Sequence, residues 1–129
     1  MPLIIDRTQL PLLQLRYLGP FSDDELEAFL SELDGVLQLP GRKVCVIDLT
    51  HADPGSARQR QLQAAWIIRN EQELARQFAA AAIVTDRAII RGTVTAVFWI
   101  RPLPFPTRVV ATVESADAWL AQYRAELTR

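Results

Sequence analysis

The stretch Asp86–Phe105, DRAIIRGTVTAVFWIRPLPF, decides the fold, because it reads either as a strand or as a helix crossing between two strands. Between Arg91 and Arg101 its Val, Phe, Trp and Ile residues leave almost no polar face. Residues 93–100, TVTAVFWI, have the β-branched and aromatic composition of a strand as much as of a helix. Connectivity separates the two. Strand-like runs flank the stretch at 81–85 and 108–112, and parallel strands need a long crossover, usually a right-handed helical one. The reading is therefore a helix over 87–100. Its apolar core, Ile89 to Ile100, is 12 residues long, too short for a bilayer, which takes about 20. Ile90, Val94, Val97 and Phe98 fall on one face, and Ile89, Ala96, Trp99 and Ile100 on another. One of the two faces can pack on the sheet, and the other then needs a partner, an apolar ligand or the neighbouring Trp66 and Trp119.

Working outward, Leu3–Ile5 and Leu12–Leu18 read as an opening hairpin, with Leu13, Leu15 and Tyr17 alternating against Gln14 and Arg16. Ser22-Asp23-Asp24-Glu25 is a capping box that starts a helix, Leu26, Phe29, Leu30 and Leu33 give it one apolar face, and Gly35 is placed to end it. Lys43–Leu49, KVCVIDL, is nearly unbroken in hydrophobicity and reads as a central strand covered on both sides. A long helix is expected over 57–79, with Ala64, Ile67, Ile68, Leu74, Ala75 and Phe78 on one stripe and Leu62 and Trp66 beside it. Strands over 81–85 and 108–112 and a last helix over 115–127 complete the chain. Ala116, Trp119, Leu120, Tyr123 and Leu127 are the buried face of that helix. The order is ββαβαβαβα, predicting one α/β domain over 1–129: a single mixed, mostly parallel five-stranded sheet with four helices.

Bulk properties bound the function. The 129 residues are 50% apolar, enough for one core, and the net charge is −1 with scattered basic residues, so no phosphate-binding stripe points to nucleic acid. Cys45 is the lone cysteine and sits within a strand, which excludes an internal disulfide and predicts a buried thiol. The start MPLIIDRTQ has neither the basic nor the apolar part of a signal peptide, and no stretch is long enough to span a membrane. A cytoplasmic location is the expectation.

Searching for chemistry gives incomplete sets. The end of the central strand gathers Asp48, Thr50, His51 and Asp53, where open α/β sheets bind ligands. One His and two carboxylates on a short turn make a poor metal set, with no second His in the chain; Asp53 is expected to cap a turn before Pro54, with His51 near solvent. An aspartyl-phosphate receiver needs a lysine on the last strand, which here is TRVVAT. A haloacid-dehalogenase site needs a second aspartate two positions after Asp48, where Thr50 stands. Nucleophilic hydrolysis has only His51 as base, and no glycine-rich phosphate loop occurs. No catalytic residue, metal or cofactor is therefore assigned, and the chain is expected not to be an enzyme.

The segment VCVIDLTHADPGS, the amphipathic helix after it, the AAIVTD strand and the ending TVESADAWL together resemble the domain shared by sulphate transporters and anti-sigma-factor antagonists, the STAS fold, and more closely its bacterial SpoIIAA-like relatives. The resemblance covers the whole chain and implies a non-enzymatic regulatory or protein-interaction module. Carriage or sensing of a small apolar or amphiphilic molecule is the alternative it implies. In the antagonist branch a serine at the start of the helix after the central strand is phosphorylated, which makes Ser56 the candidate phosphosite and a phosphorylation-switched antagonist a third reading. Here Asp53-Pro54-Gly55-Ser56 stands where that branch has Asp-Ser-Ser-Gly, with Gly55 at the serine's place and Ser56 equally suited to cap the helix.

The expected ligand or partner surface comprises Trp66, Arg87, Arg91, Trp99, Arg101, Leu103 and Phe105. Three prolines, Pro102, Pro104 and Pro106, stiffen the loop that carries Leu103 and Phe105 into an apolar lip. Arg87, Arg91, Arg101 and Arg108 bracket it with positive charge, suiting a protein partner, an amphiphile with an anionic head, a lipid-like molecule, or a second copy in a homodimer.

Overall fold

A computed structural model describes residues 2–127. One sheet runs in the order β1 (Leu3–Gln9), β2 (Leu12–Gly19), β3 (Lys43–Ala52), β4 (Phe78–Val84) and β5 (Thr107–Val110). β1 pairs antiparallel with β2, and every later pair is parallel, so the chain adds one strand at a time across the sheet. The helices are α1 (Asp23–Val36), α2 (Ala57–Arg69), α3 (Glu71–Gln77), α4 (Ala88–Ile100) and α5 (Val113–Leu127). This is the mixed, mostly parallel α/β sheet that the sequence predicts, with β3 in the middle.

Register divides the core in two. Leu13, Cys45, Ala81 and Thr107 lie across from one another, so their side chains share one face; Val46, Ala82 and Arg108 share the other. The first face carries the larger cluster, with α1, α2 and α4 supplying Leu26, Phe29, Leu33, Trp66, Ile67 and Val97. The second is covered by α5 through Ala116 and Leu120, packed on Val44, Val46, Ala80, Ala82 and Val84.

Both helix starts read from serines are capping boxes. Ser22 Oγ accepts from the Glu25 N–H at 3.0 Å while Glu25 Oε1 accepts from the Ser22 N–H at 2.9 Å. Ser56 and Gln59 repeat the exchange at 3.1 and 3.0 Å. Residues 88–100 are helical, as connectivity requires, with Arg87 as the extended N-cap, Ile90 and Val97 buried and Ile89, Trp99 and Ile100 exposed.

Three expectations differ. The helix over 57–79 is two helices, making five among the described residues rather than four: Asn70 ends α2, its side-chain amide and backbone N–H both donating to the Trp66 carbonyl, at 2.9 and 3.1 Å. Phe78 and Ala79 then belong to β4, whose seven residues FAAAAIV are all buried. Alanine is the best helix former, but these alanines are small enough to let α5 settle on the sheet, and burial on both faces overrides propensity. Ile68 and Ala75, assigned to the buried stripe on the assumption of one continuous helix, are exposed, and Trp66 is buried instead. Gly35 does not end α1, which runs to Val36 and closes on Leu37 in ordinary right-handed geometry.

Lys43, the single lysine, is 2% exposed. Its ammonium donates to the carbonyls of Leu39 and Gly41 and to Gln77 Oε1, at 3.0, 2.9 and 3.0 Å, tying the loop after α1 to the end of α3. Burial pulls its pKa below the ordinary lysine value.

Candidate functional site

An apolar cleft of about 140 Å³ lies between the sheet and the α1–α2–α4 layer. Its floor is Leu15 and Tyr17 from β2, Ile47 and Leu49 from β3, and Ile83 from β4; Trp66 and Ile67 of α2 and Ile90, Val94, Val97 and Phe98 of α4 close over it. Asp53, Pro54, Gln63 and Thr93 also line it, and Asp53 is exposed while the other three are half-buried. The volume compares with apolar cavities of roughly 150 Å³ that stay dry and admit a benzene-sized molecule. The cleft lies beside the carboxyl end of β3, where the sequence placed its search for a ligand site.

Apart from the exposed Asp53, its polar groups are few and uncharged. Tyr17 Oη donates to Gln63 Oε1 at 3.1 Å, and the ring meets Phe29 and Phe21 edge-on at 5.4 and 6.0 Å. Burial, with a smaller contribution from nearby Cys45, holds the Tyr17 hydroxyl well above the ordinary phenol value, so it stays protonated across the physiological range. The phenol oxygen retains lone pairs with which to accept one more bond. Neither Tyr17 nor Gln63 was among the predicted site residues. The signal was available: a phenol in phase with Leu13 and Leu15 points to the core, and a core phenol needs a partner.

Of the predicted surface residues, the structure brings Trp66 and Leu103 to the cleft. Trp66 is buried and its indole N–H donates to Asp34 Oδ1 at 2.8 Å, joining α2 to α1. Phe105 packs on Phe78 with ring centroids 5.7 Å apart, outside the cleft. The proline-stiffened loop therefore folds inward, and Leu103 and Phe105 are half-buried.

None of the four arginines lines the cleft. Arg87 turns in at the start of α4, and its Nη2 donates to the carbonyls of Leu49 and Ala52 at 3.1 and 2.6 Å, fastening the end of β3 to α4. Arg101 pairs with Glu71 at 3.2 Å. Arg91 and Arg108 are exposed on the far side, along a shallow groove with Val109 and Trp119. Trp99 is 86% exposed. The predicted set is thus split three ways: Trp66 and Leu103 reach the cleft, Arg91 and Trp99 lie on the outer surface, and Arg87, Arg101 and Phe105 are engaged within the fold.

The polar residues at the end of β3 are engaged in local turns. Asp48 Oδ1 accepts from the Thr50 N–H and hydroxyl at 2.9 and 2.6 Å, and Asp53 Oδ2 accepts from the Gly55 N–H at 2.9 Å, the turn expected before α2. His51 is exposed. Gly55 has φ +72°, and a Cβ there would press on Gln59 Oε1 at 2.8 Å. That position is therefore built for glycine, and Ser56 serves as the N-cap with its hydroxyl held by Gln59.

No protein-family model matches the chain, and no curated protein matches it in sequence. Its shape does find a counterpart. An uncharacterised protein from Shewanella loihica PV-4, of the DUF3478 family and with a SpoIIAA-like fold, is similar over 92% of this chain and 91% of its own, with a TM-score of 0.67 and 19% identity. The fold is SpoIIAA-like. This agrees with the resemblance carried by VCVIDLTHADPGS and TVESADAWL. In SpoIIAA-like terms, the cleft lies under the helices that follow β2, β3 and β4, and the chain's own side chains give it its apolar lining.

Proposed function

We propose that this chain is a non-enzymatic regulatory module that binds a small, uncharged, mainly apolar molecule in the cleft under α4. The observation that carries the reading is the lining: aliphatic and aromatic side chains from three strands and three helices converge on one space, and the hydrogen-bonding groups in it include the neutral pair Tyr17 and Gln63. Apolar pockets with a few fixed polar groups are the general form of small-molecule sites. The size suits a ring or the end of a short chain. The SpoIIAA-like fold supports the regulatory half of the reading, and the turns that occupy Asp48 and Asp53 support the absence of catalysis. An anionic head is disfavoured, because the arginines lie elsewhere.

Native mass spectrometry of gently purified protein tests this directly. Extra mass that disappears on denaturation is the expected result, and thermal protection by neutral benzene-sized compounds such as toluene or indole should accompany it. Val94→Phe, which fills the cleft, should abolish both while leaving the fold intact. A bare spectrum together with no protection by any such compound would overturn the reading.

A further inference from the structure

We propose that the outer face of α4 docks on an anionic lipid surface. This goes beyond the cleft reading and does not rest on it, since it concerns the opposite side of the helix. Trp99 is the most exposed large apolar side chain among the described residues, at 86%, and Ile89 and Ile100 share its side of the helix at 65% and 50%. At 100° per residue Gly92 and Ala96 fall among them and Ala88 just beyond Trp99, so the three large side chains stand proud of a low backbone ridge. None of the three lines the cleft on one side of the helix or the groove on the other. They form a projection, suited to sinking into a plane rather than to filling a pocket.

Charge identifies the occupant. From Arg87 to Val113 the chain carries four arginines and no carboxylate, leaving ten basic against fifteen acidic residues elsewhere. Arg87 and Arg101 are engaged within the fold. Arg91 and Arg108 are exposed, positioned to meet negative groups flanking the apolar ridge. Tryptophan prefers the boundary between headgroups and acyl chains, and arginines at the margin pair with lipid phosphates. A second copy is a poor occupant, because opposing two such faces sets arginine against arginine.

Vesicle flotation of the intact protein tests the proposal, comparing phosphatidylcholine alone with phosphatidylcholine containing phosphatidylglycerol. Binding to the anionic vesicles alone is expected, weakened by added salt, with brominated acyl chains quenching emission in the wild type far more than in Trp99→Phe. Arg91→Glu with Arg108→Glu should lower partitioning by at least about 25-fold, from roughly fivefold per basic residue near a charged surface. Trp99→Ala should lower it by about tenfold. These positions are exposed, and circular dichroism checks that each variant folds. No binding to anionic vesicles, equal binding to both kinds, or partitioning unchanged in both variants would overturn the proposal. Saturable binding of polyglutamate without vesicle binding would give the face to an acidic protein instead. A dimer that Trp99→Ala dissolves would give it to a second copy.

Discussion

The two faces of the sheet are built from alternate residues of the same strands and behave differently. Under α5, Val44, Val46, Ala80, Ala82 and Val84 form a low surface on which Ala116 and Leu120 sit fully buried. Under α1, α2 and α4, larger residues such as Tyr17, Ile47, Leu49 and Ile83 hold the helices apart and leave the cleft. One helix on small side chains packs closely, whereas three helices on large ones leave room. A face that binds something must give up part of the packing that a purely structural face keeps.

Alkali should separate the faces with the largest effect. The buried Cys45 thiol, on the cleft face, is pushed up to about 12 from its ordinary value of 9.0 by burial, and Tyr17 shifts in the same direction. The folded state holds these protons longer than the unfolded one. Their contribution to stability is thus complete below about pH 9 and is lost as pH rises toward the folded value, by up to about 4 kcal/mol for Cys45 alone. Urea midpoints measured across that range should fall, and Cys45→Val should flatten the fall.

Cutting into the tight face comes next. Leu120→Ala should lower unfolding free energy by about 3 kcal/mol, and Ala82→Leu, which overpacks the same contact, by about 2 kcal/mol, both read from chemical denaturation. On the cleft face, Val94→Phe should change stability by less than about 1 kcal/mol in either direction, because the added atoms have space to enter. If Val94→Phe costs as much as Ala82→Leu, the contrast between the faces is wrong. Ser56→Ala, at the cap of the helix that roofs the cleft, should cost about 1 kcal/mol and leave the α5 side unaffected by hydrogen exchange.

The same contrast marks what could be read from the sequence. The capping box at Ser22, the N-cap at Ser56, the central strand and the division of α4 into two faces were legible because they depend on local spacing; which of the two faces is buried was not, since that rests on what packs against the helix. The strand Phe78–Val84 was half legible: its alanines look helical in isolation and become strand-like only because α5 lies on one side and α2 and α4 on the other. The cleft itself was not legible. Leu103 and Trp66 were found as apolar residues, but Tyr17 and Gln63 meet across 46 positions of sequence, and no local pattern announces such a meeting. The inward turn of Arg87 escaped for the same reason, since its acceptors are the carbonyls of Leu49 and Ala52 on β3, far from it in sequence.

Lys43 carries a practical consequence. It is the chain's single lysine and is buried with all three ammonium donors engaged, and the single thiol, Cys45, lies two residues further along the same strand. The native surface therefore offers no side-chain amine or thiol to acylating or alkylating reagents. Succinimidyl esters and maleimides would mark these side chains only in molecules whose central strand had opened, so the pair works as a built-in chemical clock for the rate at which the middle of the sheet breathes.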